Sequence, residues 1–82
     1  MATPQEKSME VHEAGVSLNL AELIFETRAG ADLSQEQLAA ELGVSQADVD
    51  AWETGAEAPR VDVLDRLARV CGRRLHIAIE IN

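Results

Sequence analysis

The spacing of apolar residues changes character along the chain, and each change marks an element. From Met1 to about Val16 the residues are polar or charged, with Pro4, Gly15 and no sustained period, which predicts a flexible N-terminal arm over 1–16 with a short strand near Val11 and Val16 at most. From about Leu18 the spacing turns helical. Leu20, Leu23, Ile24 and Thr27 fall on one stripe, Glu22, Glu26 and Arg28 lie mostly elsewhere, and this first helix is expected to end near Gly30.

Ser34 is placed to open a second helix, its hydroxyl capping a free amide while Gln37, three residues on, returns the bond. Leu38, Ala39 and Leu42 then face inward, and Gly43 supplies the left-handed stop. Ser45 repeats the logic with Asp48, and Val49 and Trp52 face inward. The stretch from Glu53 to Pro59 is a loop by its Gly and Pro content. A fourth helix is expected from about Val61 to Cys71, with Val63, Leu64, Leu67, Ala68 and Cys71 as its buried stripe and Gly72 as its end.

The tail changes period from 3.6 to 2, setting Leu75, Ile77, Ile79 and Ile81 on one face of a strand and His76, Ala78 and Glu80 on the other. A strand needs a partner, because its backbone groups must be hydrogen-bonded and a bare apolar edge aggregates. The N-terminal arm, a second copy of the tail in a twofold dimer, and a strand from another protein are the three candidates. The dimer is the favoured one, since the arm offers only a weak strand near Val11. The predicted domain plan is an arm over 1–16, a helical domain over 17–73 and a terminal dimerisation strand over 74–82.

Composition narrows the class. A chain of 82 residues, 46% apolar but with only Phe25 and Trp52 as aromatics, builds one small core from Leu, Val, Ile and Ala. The single cysteine, Cys71, has no partner for an internal disulfide, and neither a signal sequence nor a long apolar run appears, so a soluble cytoplasmic protein with no membrane partner is expected. The net charge of −8 disfavours non-specific attraction to nucleic acid or to anionic membranes. Five of the seven basic residues, Arg60, Arg66, Arg69, Arg73 and Arg74, fall in the last third, and no Lys or Arg lies between Arg28 and Arg60.

That basic-free stretch carries the most legible motif. Leu-Ser-Gln-Glu-Gln-Leu-Ala-Ala-Glu-Leu-Gly-Val-Ser-Gln, then Val-Asp-Ala-Trp-Glu-Thr-Gly, Ala-Pro and Leu-Asp-Arg-Leu-Ala, resembles the phage-repressor-like (Xre/Cro) helix-turn-helix family from about Leu20 to Gly72. Six features coincide at that family's spacing: Gln35, Ala39, Gly43, Val49, the Trp52-Glu53 pair and Pro59. The resemblance implies an all-α, four-to-five-helix repressor-like domain with a C-terminal strand paired across a dimer. It also implies a structural ion pair between Arg28 and Glu53. The terminal strand is similar to the one with which type II antitoxins of this family dimerise, so an antitoxin role and a toxin as protein partner are implied too, with Leu75, Ile77, Ile79 and Ile81 as the dimerisation residues.

The function implied is sequence-specific binding of double-stranded DNA by a transcriptional regulator, with Gln35, Ser45, Gln46, Ala47, Asp48 and Thr54 lining the docking face. Gln46 retains amide chemistry suited to adenine, whereas Ala51 stands where many relatives have Arg or Lys. Of the carboxylates Glu36, Glu41, Asp48, Asp50 and Glu53, the ion pair implied for Glu53 accounts for one, and the others oppose that function, since phosphates repel carboxylates. The competing class is an acidic protein-interaction module on the same scaffold that has lost DNA binding. Asp48 and Asp50 point about 200 degrees apart around a helix, which argues against a catalytic pair and leaves capping for Asp48 and solvated charge for Asp50. Lone His12 and His76 lack metal-ligand spacing, Cys71 has no neighbouring base, and no phosphate loop or nucleophile set appears, so neither enzyme activity, cofactor nor metal is expected.

Overall fold

The computed structural model describes the backbone of residues 8–12 and 16–78 and the side chains of residues 20–76. The order is β1 (Ser8–His12), α1 (Val16–Gly30), α2 (Gln35–Leu42), α3 (Gln46–Thr54), α4 (Val61–Val70) and β2 (Arg74–Ala78). Four helices therefore form where helical spacing and capping residues predict them. Val16, expected near a strand, instead lies in α1, which opens two residues before Leu18, where the helical spacing begins.

The helices converge on one core of Leu20 and Ile24 from α1, Leu38, Ala39 and Leu42 from α2, Val49 and Trp52 from α3, and Leu64, Leu67 and Ala68 from α4, closed by Cys71. Each fully buried Leu, Ile or Val adds about 1.5–3 kcal/mol of hydrophobic stabilisation, which is how a chain with two aromatics sustains a single interior. Thr27 is buried among them, and its hydroxyl has no hydrogen-bond partner among the described residues.

Turn chemistry fixes the angles between helices. Ser34 accepts from the Gln37 amide at 3.0 Å while the Gln37 side chain accepts from the Ser34 amide at 2.8 Å. Gly43 ends α2 at φ 72°, and the amides of Gly43 and Val44 satisfy the carbonyls of Ala40 and Ala39. After α1 the left-handed residue is not a glycine but Asp32, at φ 62°, a residue type that tolerates this region better than most. The amide of Leu33, next in the chain, then bonds back to the Arg28 carbonyl.

The terminal strand has its partner within the chain. β1 and β2 form a two-stranded parallel sheet with Met9 opposite Leu75 and Val11 opposite Ile77. The favoured expectation had paired the tail with a second copy; here the arm takes that place along one edge of β2. Parallel neighbours need a long crossover, and the four intervening helices supply it. The alternation of Met9 and Val11 is the period-2 signal that the arm carried. Leu75 packs against the helical core and so anchors the sheet to it. Ile79 and Ile81, expected on the same strand face, lie outside the described residues.

Candidate nucleic-acid interface

α2 and α3 meet through the turn at Gly43–Ser45, and their polar side chains form one connected chain of bonds. Ser45 caps α3 as predicted: its hydroxyl accepts from the Asp48 amide at 3.0 Å, and the Asp48 carboxylate accepts from the Ser45 amide at 3.2 Å. Asp48 is thus engaged in holding the helix start, where a carboxylate also favours the helix dipole. Gln46 and Ala47 follow on the first turn, both exposed. The Thr54 hydroxyl donates to the Ala51 carbonyl at 3.2 Å near the far end of the helix.

Behind this surface lies the ion pair. Arg28 donates to Glu53 through Nε at 2.6 Å and through Nη2 at 3.0 Å, a two-pronged contact, and its Nη1 donates to the Leu33 carbonyl at 2.8 Å. Both side chains are largely withdrawn from water, at 13% and 6% exposure. Hydrogen bonding to Glu53 raises the Arg28 guanidinium above its ordinary value despite the opposing effect of burial. The pair joins α1 to the end of α3 and fixes the turn after α1. Phe25, three residues before Arg28 on the same helix and 49% exposed, lies with its ring centroid 5.3 Å from the guanidinium carbon.

Gln35 connects the ion pair to the start of α3. Its amide nitrogen donates to Glu53 Oε1 at 3.1 Å and to Asp50 Oδ1 at 3.3 Å, and its carbonyl oxygen accepts from Gln46 Nε2 at 3.3 Å. The six expected docking residues are therefore not equivalent. Gln35 and Gln46 are brought together, Ser45 and Asp48 form the cap beside them, Ala47 is an exposed apolar neighbour, and Thr54 is bonded to its own helix.

Sequence reasoning missed Phe25 and Asp50 as members of this network. The three-residue spacing of Phe25 and Arg28 was a readable helical signal, whereas Asp50 reaches Gln35 only through the crossing of α2 and α3. Three of the five carboxylates between Ser34 and Gly55 thus have internal hydrogen bonds, Glu53 in the ion pair, Asp48 in the cap and Asp50 on Gln35.

The basic residues of α4 and β2 lie outside this network. Arg69 pairs with Asp65 at 3.1 Å, Arg60 with Asp62 at 3.4 Å, and Arg66 donates to the Leu42 carbonyl at 3.3 Å. Arg73 Nη2 comes within 2.8 Å of where a Cβ on Gly30 would sit, so glycine there makes room for the guanidinium. Burial pushes the Cys71 thiol up, against the pull of Arg73 and Arg28, which favours the unreactive protonated form. Among the described residues no group of three His, Cys, Asp or Glu could hold a metal ion, and no helix is long and apolar enough to cross a membrane.

A capped α2, a glycine turn, a capped α3 with an exposed first turn and an arginine–glutamate clamp behind it make up a helix-turn-helix. A family model described as Helix-turn-helix matches residues 24–77, most of the chain and all of this geometry. No curated protein and no solved structure matches the chain. On that family match and this geometry together, the chain belongs to the Xre/Cro-type helix-turn-helix family, a family of DNA-binding regulatory domains rather than of enzymes.

Proposed function

We propose that the chain is a sequence-specific, double-stranded DNA-binding transcriptional regulator that presents the first turn of α3 to the major groove. The observation that carries this reading is the Gln46 amide. Gln35 orients it through one N–H, leaving a second N–H and the carbonyl oxygen exposed, the donor and acceptor pair that adenine N7 and N6 require. Ala47 beside it offers a methyl suited to contact with thymine. Phosphates would meet Gln35 and the amides at the start of α2. With no Lys or Arg between Arg28 and Arg60, few counterions are released on binding.

The same reading includes a homodimer, because paired half-sites need paired readers. β1 occupies one edge of β2, and no other described strand occupies the second, which is the edge a partner copy would use. An antitoxin role, with a toxin as partner, is the narrowest form of the proposal and rests on the terminal strand alone. Exposed Glu36 and Glu41, whose side chains have no hydrogen bond or ion pair among the described residues, favour the second reading, an acidic adaptor that binds a basic protein.

An anisotropy titration against the duplex upstream of the chain's own reading frame, at low salt, separates these readings. Binding with a shallow salt dependence is expected, and Gln46→Ala should cost about 1–3 kcal/mol at sites carrying the contacted adenine and little elsewhere. No binding at low salt would remove the regulator and leave the adaptor.

A further inference from the structure

The Gln35 amide is saturated before any DNA arrives. A glutamine side chain has two N–H donors and one carbonyl oxygen. In Gln35 the nitrogen serves Glu53 Oε1 at 3.1 Å and Asp50 Oδ1 at 3.3 Å, and the oxygen accepts from Gln46. No side-chain N–H of Gln35, the first residue of α2, is left for a phosphate, which would otherwise meet it beside the backbone amides of the helix start.

The two carboxylates differ in how firmly they hold. Glu53 is withdrawn from water and fixed by two bonds from Arg28. Asp50 is exposed, its bond to Gln35 is the longer of the two, and among the described residues it forms no ion pair. A solvent-exposed contact of that length costs little to exchange, so Asp50 is the one that yields. A carboxylate oxygen and a phosphate oxygen are alike as anionic acceptors for an amide N–H.

Building on the regulator reading above, we propose that Asp50 is a built-in phosphate mimic that occupies Gln35 in the free protein and must be displaced by a DNA phosphate on docking. Two consequences follow. Every duplex meets the same toll, exchange of the Asp50 bond plus the repulsion of a phosphate by the displaced carboxylate, so binding to arbitrary sequence is suppressed. Only a site whose bases engage Gln46 recovers the loss. Because Gln35 also orients Gln46, the free protein keeps its reading amide in position while its affinity for the backbone is held down.

The test is a double-mutant cycle on DNA binding together with a DNA-free measurement. Asp50→Ala should tighten binding to a random duplex about tenfold more than Glu22→Gln, a like charge change at an exposed α1 position, and in a Gln35→Ala background that gain should fall to about twofold or less. An equal gain in both backgrounds would mean simple charge repulsion and would overturn the mimic while leaving the regulator reading intact. Failure of every variant to bind DNA would remove both. In the free protein, the side-chain amide resonances of Gln35 should move on Asp50→Ala while those of Gln37, held in the Ser34 cap, stay fixed; unmoved Gln35 resonances would overturn the mimic whatever the DNA result.

Discussion

The two halves of the helical body are held by different forces. α2 and α3 are short helices of eight and nine residues, each with a reciprocal cap at its start, a left-handed glycine at its end, and a polar network running from Arg28 through Glu53 and Gln35 to Gln46. α4 has no side-chain cap at Arg60 and is held by its apolar stripe, with Leu64, Leu67 and Ala68 all buried. Charge divides along the same line. The reader half has carboxylates and no cation of its own, while the arginines of the other half sit beside its acids, on the Leu42 carbonyl and over Gly30. α2 and α3 bury Leu38, Ala39, Leu42, Val49 and Trp52 in the same core and add directional bonds at their ends; α4, with no side-chain cap, relies on its stripe alone.

Removing core from α4 should therefore have the largest effect. Leu67→Ala deletes a side chain with no exposed surface and should cost about 3 kcal/mol, read as a lowered denaturant midpoint with an unchanged slope. A cost below about 1 kcal/mol would mean that the interior collapses around the gap and that α4 is not secured as described. Breaking the clamp should come next. Glu53→Gln leaves the Arg28 guanidinium withdrawn from water without its anion and puts an NH2 group in place of one of the two oxygens that accept from Arg28, which should cost about 2 kcal/mol. Since Glu53 links α1 to α3, amide exchange should accelerate in the Arg28–Leu33 turn as well as at the end of α3. An effect confined to α3 would contradict the linkage.

The same division decides what the sequence made legible. The caps at Ser34 and Ser45, the Gly43 stop and the stripe of α4 are local patterns, each contained within a few residues, and all formed as spacing predicts. The family match followed from them. The partner of β2 was not legible in this way, because parallel pairing joins Ser8–His12 to Arg74–Ala78 across the whole domain, and a pattern of two apolar residues in a polar arm carries little weight alone. Within the candidate interface, Gln35 and Gln46 are expected from the family resemblance. The contact between them, and the hold of Asp50 on Gln35, depend on how α2 crosses α3, a distance in space rather than along the chain. Asp50 looked like a solvated charge for the same reason: along its own helix it has no partner.

The smallest effect sharpens the comparison most. Ser45→Ala removes the oxygen that accepts from the Asp48 amide, and loss of such a cap costs about 1 kcal/mol. If α3 owes its start to directional bonds, the loss should be local, with faster amide exchange at Asp48 and Val49 and no change in α4 beyond the global shift. Gln46 is the first residue of the helix so loosened, and its bond to Gln35 is long and exposed, so the adenine discrimination proposed for it should weaken along with the cap. The half-buried clamp at the other end of α3 does not pass through Ser45, and Glu53 should stay on Arg28. Uniform destabilisation of all four helices, with the first turn of α3 no more labile than α4, would instead mean that core packing by Val49 and Trp52 positions the reader helix and that its cap only adds stability.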